Sequence, residues 1–286
     1  MYHVHASRRL WPVMALGAAA LMSACEGQSD DPAVAQEQMI EARALPADAQ
    51  VPLGSLPLTL PARSAVRFLG QASFGANDEE VNKLATLWRA GWLQQQEAMP
   101  PVASHWDRMR EAQAYWVSQA PTGTTRDIKD APASLFDNVI WASYLSDPDQ
   151  LRKRVGYALS QIFVTSVDGF SVSGRFNGLM GAAYLDTLEA HAFGNFRDLL
   201  EAVTLSPAMG YYLSMRGNVK TQVSNGQVVR TPDENYAREV MQLFTIGLHK
   251  LNVDGSVQKD AAGVPVETYT QADVSGLARV FTGWDL

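Results

Sequence analysis

Residues 231–248 read TPDENYAREVMQLFTIGL, and the fold is decided by how this stretch winds. Thr231-Pro232-Asp233-Glu234 is a helix start: a hydroxyl cap, a proline in the first turn, and an acid three places after the cap to complete a capping box. At about 100° per residue, Tyr236, Ala237, Val240, Met241, Leu243, Phe244, Gly247 and Leu248 share one broad apolar arc. Glu234, Asn235, Arg238, Glu239, Gln242 and Thr245 share the other. Glu234 and Arg238 form an i,i+4 pair in the favourable order. The spacing predicts an amphipathic helix over 232–248. Ile246 falls on the polar side between Asn235 and Glu239, so that arc is expected to pack against something rather than face water alone.

The same signals recur outward from this stretch. Asn77 caps a helix reaching Gln96, with Glu80 placed to complete a capping box. Asp147-Pro148 opens another, with Val155, Leu159, Ile162 and Phe163 at helical spacing. Thr270-Gln271-Ala272-Asp273 is a further start, and residues 102–119, 132–146, 176–190 and 195–204 also read as helical. Two stretches differ. His249 to Tyr269 carries Asp254-Gly255 between short apolar runs, a turn signal that predicts a small hairpin or paired extended arms. Gly217 to Thr231, with Asn225-Gly226, is a second exposed excursion. The expected fold is mainly α: a multi-helix globular domain over residues 61–286 with a small β-hairpin-like excursion near 250–269.

The N-terminus has a different character. Residues 1–9 end in Arg8-Arg9, residues 10–22 (LWPVMALGAAALM) carry no charge, and Ser23-Ala24-Cys25 follow. That is the order of a secretory signal, and the apolar run is too short to span a membrane. Leu21-Met22-Ser23-Ala24-Cys25 resembles a bacterial lipobox, which implies export, removal of residues 1–24 and lipidation of Cys25. Cys25 is the only cysteine, so no intramolecular disulfide or thiolate zinc site competes for it. Residues 25–60, rich in Ala, Gln, Pro and acid, read as a flexible tether. Without residues 1–24 the chain has 21 Lys+Arg against 30 Asp+Glu, a net charge of −9. That balance disfavours nucleic acid as a partner. The expected partners are the lipid bilayer, reached through acylated Cys25, and an envelope protein or polymer. Glu26 is not the usual inner-membrane retention residue, which points to the outer membrane.

Five blocks, taken together, resemble one family: RFLGQASFGA at 67–76, RKRVGYALSQIFV at 152–164, HAFGNFRDLLEAVTLSPAMGYYLS at 191–214, PDENYAREVMQLFTIGL at 232–248 and YTQADVSGLARVFTGW at 269–284. They are similar, in order, to the bacterial domain-of-unknown-function 1800 family. The resemblance implies no established activity. It also implies a domain that continues beyond Leu286.

The chemistry-bearing candidates are few. Glu234, Arg238 and Glu239 on the 232–248 helix offer carboxylates and a guanidinium that could bind a polar ligand or share a proton; a capped, solvated helix face is the plainer account. His191, after Asp186 and Glu189 at a helix end, offers a general base or metal ligand, against the plainer account of a histidine favoured by the helix dipole. Asn252, Asp254, Ser256 and Asp260 fail the EF-hand register. No HExxH, GxSxG, P-loop or dinucleotide fingerprint is present, so no cofactor or metal is expected. Trp88, Trp92, Trp106, Trp116 and Trp141 are read as core rather than as a sugar platform, Trp88 and Trp92 being i,i+4 neighbours. Two functions remain in view: a lipid-anchored binding or interaction module, and a hydrolase-like enzyme acting on an envelope or extracellular polymer through carboxylates of the 232–248 helix.

Overall fold

Why these residues fold as they do is seen best at residues 174–190. The helix here, GRFNGLMGAAYLDTLEA, is almost uncharged and has glycines where neighbours come close. A Cβ on Gly178 would lie 2.6 Å from Cε of Met109, and one on Gly181 would lie 2.8 Å from Cγ2 of Val167 and 3.0 Å from the Phe136 ring. The small residues let other helices seat against this one, and the domain is built around it.

The computed structural model describes residues 60–128, 131–170 and 174–285. In chain order the helices are α1 (Leu60–Ala72), α2 (Asp78–Ala98), α3 (His105–Ser118), α4 (Ser134–Ser146), α5 (Gln150–Ser160), α6 (Gly174–Ala190), α7 (Phe196–Thr204), α8 (Pro207–Tyr212), α9 (Asn235–Glu239) and α10 (Gln271–Val280). A 3₁₀ turn spans Val167–Gly169, and β1 (Gln222–Ser224) pairs antiparallel with β2 (Gln227–Arg230). The central helix α6 packs against α3, α4, α5, α7 and α8, while α1, α2 and α5 form a second group and α9 packs on α10. The main core joins Phe163, Tyr184, Leu188, Val203, Met209 and Tyr236, a smaller one Leu69, Leu84 and Trp92, and a third Met109, Leu179 and Ala182. The fold is mainly α, as the periodicity predicted, and no described helix is long and apolar enough to cross a membrane. The stretches read from sequence as a signal peptide and a tether, with Cys25 between them, lie outside the described residues, except that Leu60 already begins α1.

Three expectations change. The 232–248 helix is short: Asp233 Oδ1 accepts the Asn235 N–H, α9 runs only to Glu239, and a π turn occupies Val240–Phe244. Gly247 then takes a positive φ of 73°, and Ile246 is exposed. The regular ladder is at 222–230, where Asn225 (φ 50°) and Gly226 (φ 76°) form the two-residue turn that suits a hairpin's twist. The 249–269 arms are paired only by isolated antiparallel bridges, His249 to Glu267, Leu251 to Val257 and Lys259 to Pro265. Finally, of the tryptophans read as core only Trp92 is fully buried: α2 kinks at Trp88 (φ 58°), which is 78% exposed and does not share a face with Trp92, and Trp106 and Trp141 are exposed as well.

Candidate functional site

The four residues singled out by sequence fall in two places. Glu234, Arg238 and Glu239 lie at α9. Glu234 is a hub: its carboxylate accepts from Arg238 Nη2 (3.0 Å), Gln271 Nε2 (2.7 Å) and Ser275 Oγ (2.6 Å). The bonds from Ser275 and Gln271, with the charge of Arg238, hold its carboxyl below the usual range. Glu234 and Arg238 thus meet α10, whereas Ile246, on which the expectation of a covered arc rested, lies beyond α9 and is exposed. Helix α10 itself starts with the predicted capping box between Thr270 and Asp273. Glu239 stands at the junction with the π turn, and its Oε2 is enclosed with no hydrogen-bond partner. His191 follows α6, its Nδ1 2.9 Å from the Thr187 carbonyl, and it shares no hydrogen bond with the other three. Two surface pockets, one beside Arg126 and Ile128 and one beside Lys83 and Leu87, are lined by none of the four. Asp254 Oδ1 accepts from the N–H and hydroxyl of Ser256, which makes that segment an Asx turn.

The densest polar chemistry is elsewhere, where α3, α4, α5 and α6 meet. Lys153 of α5 is fully buried. Its ammonium lies 2.7 Å from Glu189 Oε2 and 3.6 Å from Asp147 Oδ2. The other oxygen of Glu189 is 2.7 Å from His105 Nε2, at the start of α3. Asp147 also accepts from Ser143 Oγ (2.7 Å) and Arg108 Nη2 (2.6 Å). Arg152 donates to the carbonyls of Glu189 (3.0 Å) and Met99 (3.1 Å), and its guanidinium lies over the Phe193 ring. Asp186 caps α3 by accepting the N–H groups of His105 (2.7 Å) and Trp106 (3.0 Å). Gly156 permits the close approach, since a Cβ there would lie 2.6 Å from Glu189 Cγ.

Charges removed from water in this way are costly unless paired and hydrogen-bonded. Burial pushes the Glu189 carboxyl up, but the hydrogen bond and charge of His105 and those of Lys153 together outweigh it and hold it below its ordinary value. Asp149 behaves in the opposite way. It is fully buried and neither carboxylate oxygen has a hydrogen-bond partner. Burial raises its carboxyl, Lys153 counters this, and Asp147 and Glu189 push it further up. With a folded-state affinity for the proton above that of the unfolded chain, Asp149 costs stability as pH rises from its unfolded value of about 3.9. Asp149→Asn is therefore expected to gain stability relative to the parent at neutral pH. The gain should close as pH falls below about 4, where the aspartic acid is neutral in both states. Urea unfolding of both proteins at two pH values measures it; a pH-independent difference would contradict the assignment.

His105, Asp186 and Glu189 can each offer one ligand atom within 4.8 Å of the others. The donor set does not suit a metal ion. Both Asp186 oxygens are engaged by backbone N–H groups, and the Lys153 ammonium already neutralises Glu189 from within the fold. The arrangement is an ionic staple across four helices. Sequence reasoning missed it, although one signal was present: Asp186 and Glu189, three apart on one face, are the only acids in a long apolar helix.

Fold and site together define a class: a mainly α domain whose central helices are cross-linked by buried charge. Residues 67–286 match the family described as protein of unknown function, DUF1800, and the chain belongs to that family. Nothing among the curated proteins or the solved structures matches it significantly.

Proposed function

We propose that the chain is an exported protein anchored to the cell envelope, preferentially the outer membrane, through acylated Cys25, and that its helical domain is a binding module for an envelope protein or polymer. The anchoring rests on the signal-like order of residues 1–25 and on Cys25 being the only thiol. The observation that carries the non-enzymatic part is the use made of Glu234 and Arg238. Their charges are spent on each other and on Gln271 and Ser275, which fixes α10 to α9. Mass spectrometry of the mature protein tests the anchor: the expected N-terminus is Cys25 carrying a diacylglycerol, and an unmodified Cys25 within a longer chain overturns it.

One observation favours a second reading, a hydrolase-like enzyme acting on an extracellular polymer. Glu239 Oε2 is enclosed, unpartnered and at a π turn, a feature common at functional sites. Hydrolysis by carboxylates needs a second acid held across the scissile bond at a defined separation, and Glu234 is already engaged with α10. Comparison of Glu239→Ala with Arg238→Ala in the full-length protein separates the two. Loss of phenotype on Glu239→Ala with unchanged folding supports the enzyme; an unchanged phenotype supports the binding module.

A further inference from the structure

The β1–β2 hairpin is a free-standing ribbon held in a fixed place. Every residue from Thr221 to Arg230 is exposed. Val223 and Val228 are cross-strand partners, 62% and 60% exposed, with Val229 beside them at 56%. An isolated two-stranded hairpin is marginal in water, yet this one is clamped at its base. Buried Asn218 accepts the Asp233 N–H (2.8 Å) and donates to the Asp233 carbonyl (3.2 Å). The Gly217 N–H donates to the Trp284 carbonyl (2.9 Å), and the Gly283 N–H to the Asn218 carbonyl (2.8 Å). An arm pinned at its base with apolar side chains in water is a surface suited to binding.

Charge indicates what it binds. Between Gly217 and Thr231 the chain carries Lys220 and Arg230 and no acid, although the whole chain has a net charge of −7. The 249–269 arms have the opposite sign, by a narrower margin: Asp254, Asp260 and Glu267 stand against Lys250 and Lys259. This excursion also exposes apolar side chains, Leu251, Val253, Val257 and Val264. A lipid surface fits the hairpin poorly, because its tip, Ser224-Asn225-Gly226-Gln227, is polar and the valines sit behind it.

We infer that the hairpin of one copy docks on the 251–269 arms of a second copy, and reciprocally, in a two-fold dimer. The arms are exposed within one chain and complementary between two, and a two-fold arrangement makes both contacts at once. The inference stands apart from lipid anchoring and from either reading of α9.

Sedimentation equilibrium of the purified full chain tests it. The expected result is a monomer–dimer equilibrium weakened by salt. Reversing the basic arm (Lys220→Glu with Arg230→Glu) or the acidic arm (Asp254→Lys with Glu267→Lys) is expected to weaken association by about tenfold or more. All four residues are exposed, so circular dichroism and melting temperature should stay as in the parent. Mixing the two variants is expected to restore a heterodimer, because each reversed arm then faces a reversed partner. A monomer at every concentration, a dimer indifferent to both reversals, or no restoration on mixing would overturn the inference.

Discussion

Lys153→Met is expected to destabilise the protein by about 3–5 kcal/mol, read as a shift in the urea unfolding midpoint. Methionine fills much of the same volume, so the loss is electrostatic rather than a cavity. Glu189 and Asp147, both nearly inaccessible to water, would lose the ammonium at 2.7 Å and 3.6 Å. Glu189 would keep only His105. The deficit should have a pH signature. In the parent chain the depressed Glu189 carboxyl contributes stability that is present above its unfolded value of about 4.3 and lost as pH falls. Without Lys153 the carboxyl takes a proton more readily, so the gap between variant and parent is widest at neutral pH and narrows in acid. A double change, Lys153→Met with Glu189→Gln, removes both charges and should recover part of the loss. A deficit below about 1 kcal/mol at neutral pH would mean that the network is solvated and not the staple described above.

Trp92→Ala is expected to cost a similar amount, about 3–5 kcal/mol, by a different physical route. Trp92 is fully buried, meets Phe68 edge-to-face at 5.4 Å between centroids, and donates from Nε1 to Glu80 Oε2 at 2.7 Å. It is the largest side chain in the core between α1 and α2, with Leu69 and Leu84 around it. Truncation leaves a cavity and an acceptor without its donor, although Glu80 retains Lys83. Trp88→Ala is the control: Trp88 is mostly in water, so its loss should stay within about 0.5 kcal/mol. Equal effects at the two positions would contradict the kink that separates them.

Much of the fold was legible because helices are local objects. Caps at Asn77 and Thr270, and apolar spacing through 132–146, 176–190 and 195–204, report short-range chemistry that the chain carries with it. The failures arose where distant segments intervened. The apolar arc of 232–248 promised a long helix. The structure ends the α-helix at Glu239 and carries the chain on through a π turn, while Glu234 bonds to Gln271 and Ser275 and Arg238 to Gln271, more than thirty residues on. The larger excursion near 250–269 was foreseen, but the better-formed hairpin is the one with Asn225-Gly226, whose positive φ values fit the two-residue turn.

The candidate site shows the same division more sharply. Glu234 and Arg238 were found because their i,i+4 pairing is visible along one helix. His105, Asp147, Asp149, Lys153 and Glu189 were not: Asp149 and Lys153 are an i,i+4 pair, but the other partners come from separate elements far along the chain, and no local spacing joins them. By itself the sequence determined a mainly α domain, its family, and the signal-like stretch that ends at Cys25. The tertiary structure alone decided which charges leave water. Burial is a property of neighbours brought together from far along the chain, and the energy of an ion pair depends on that burial far more than on its spacing in sequence.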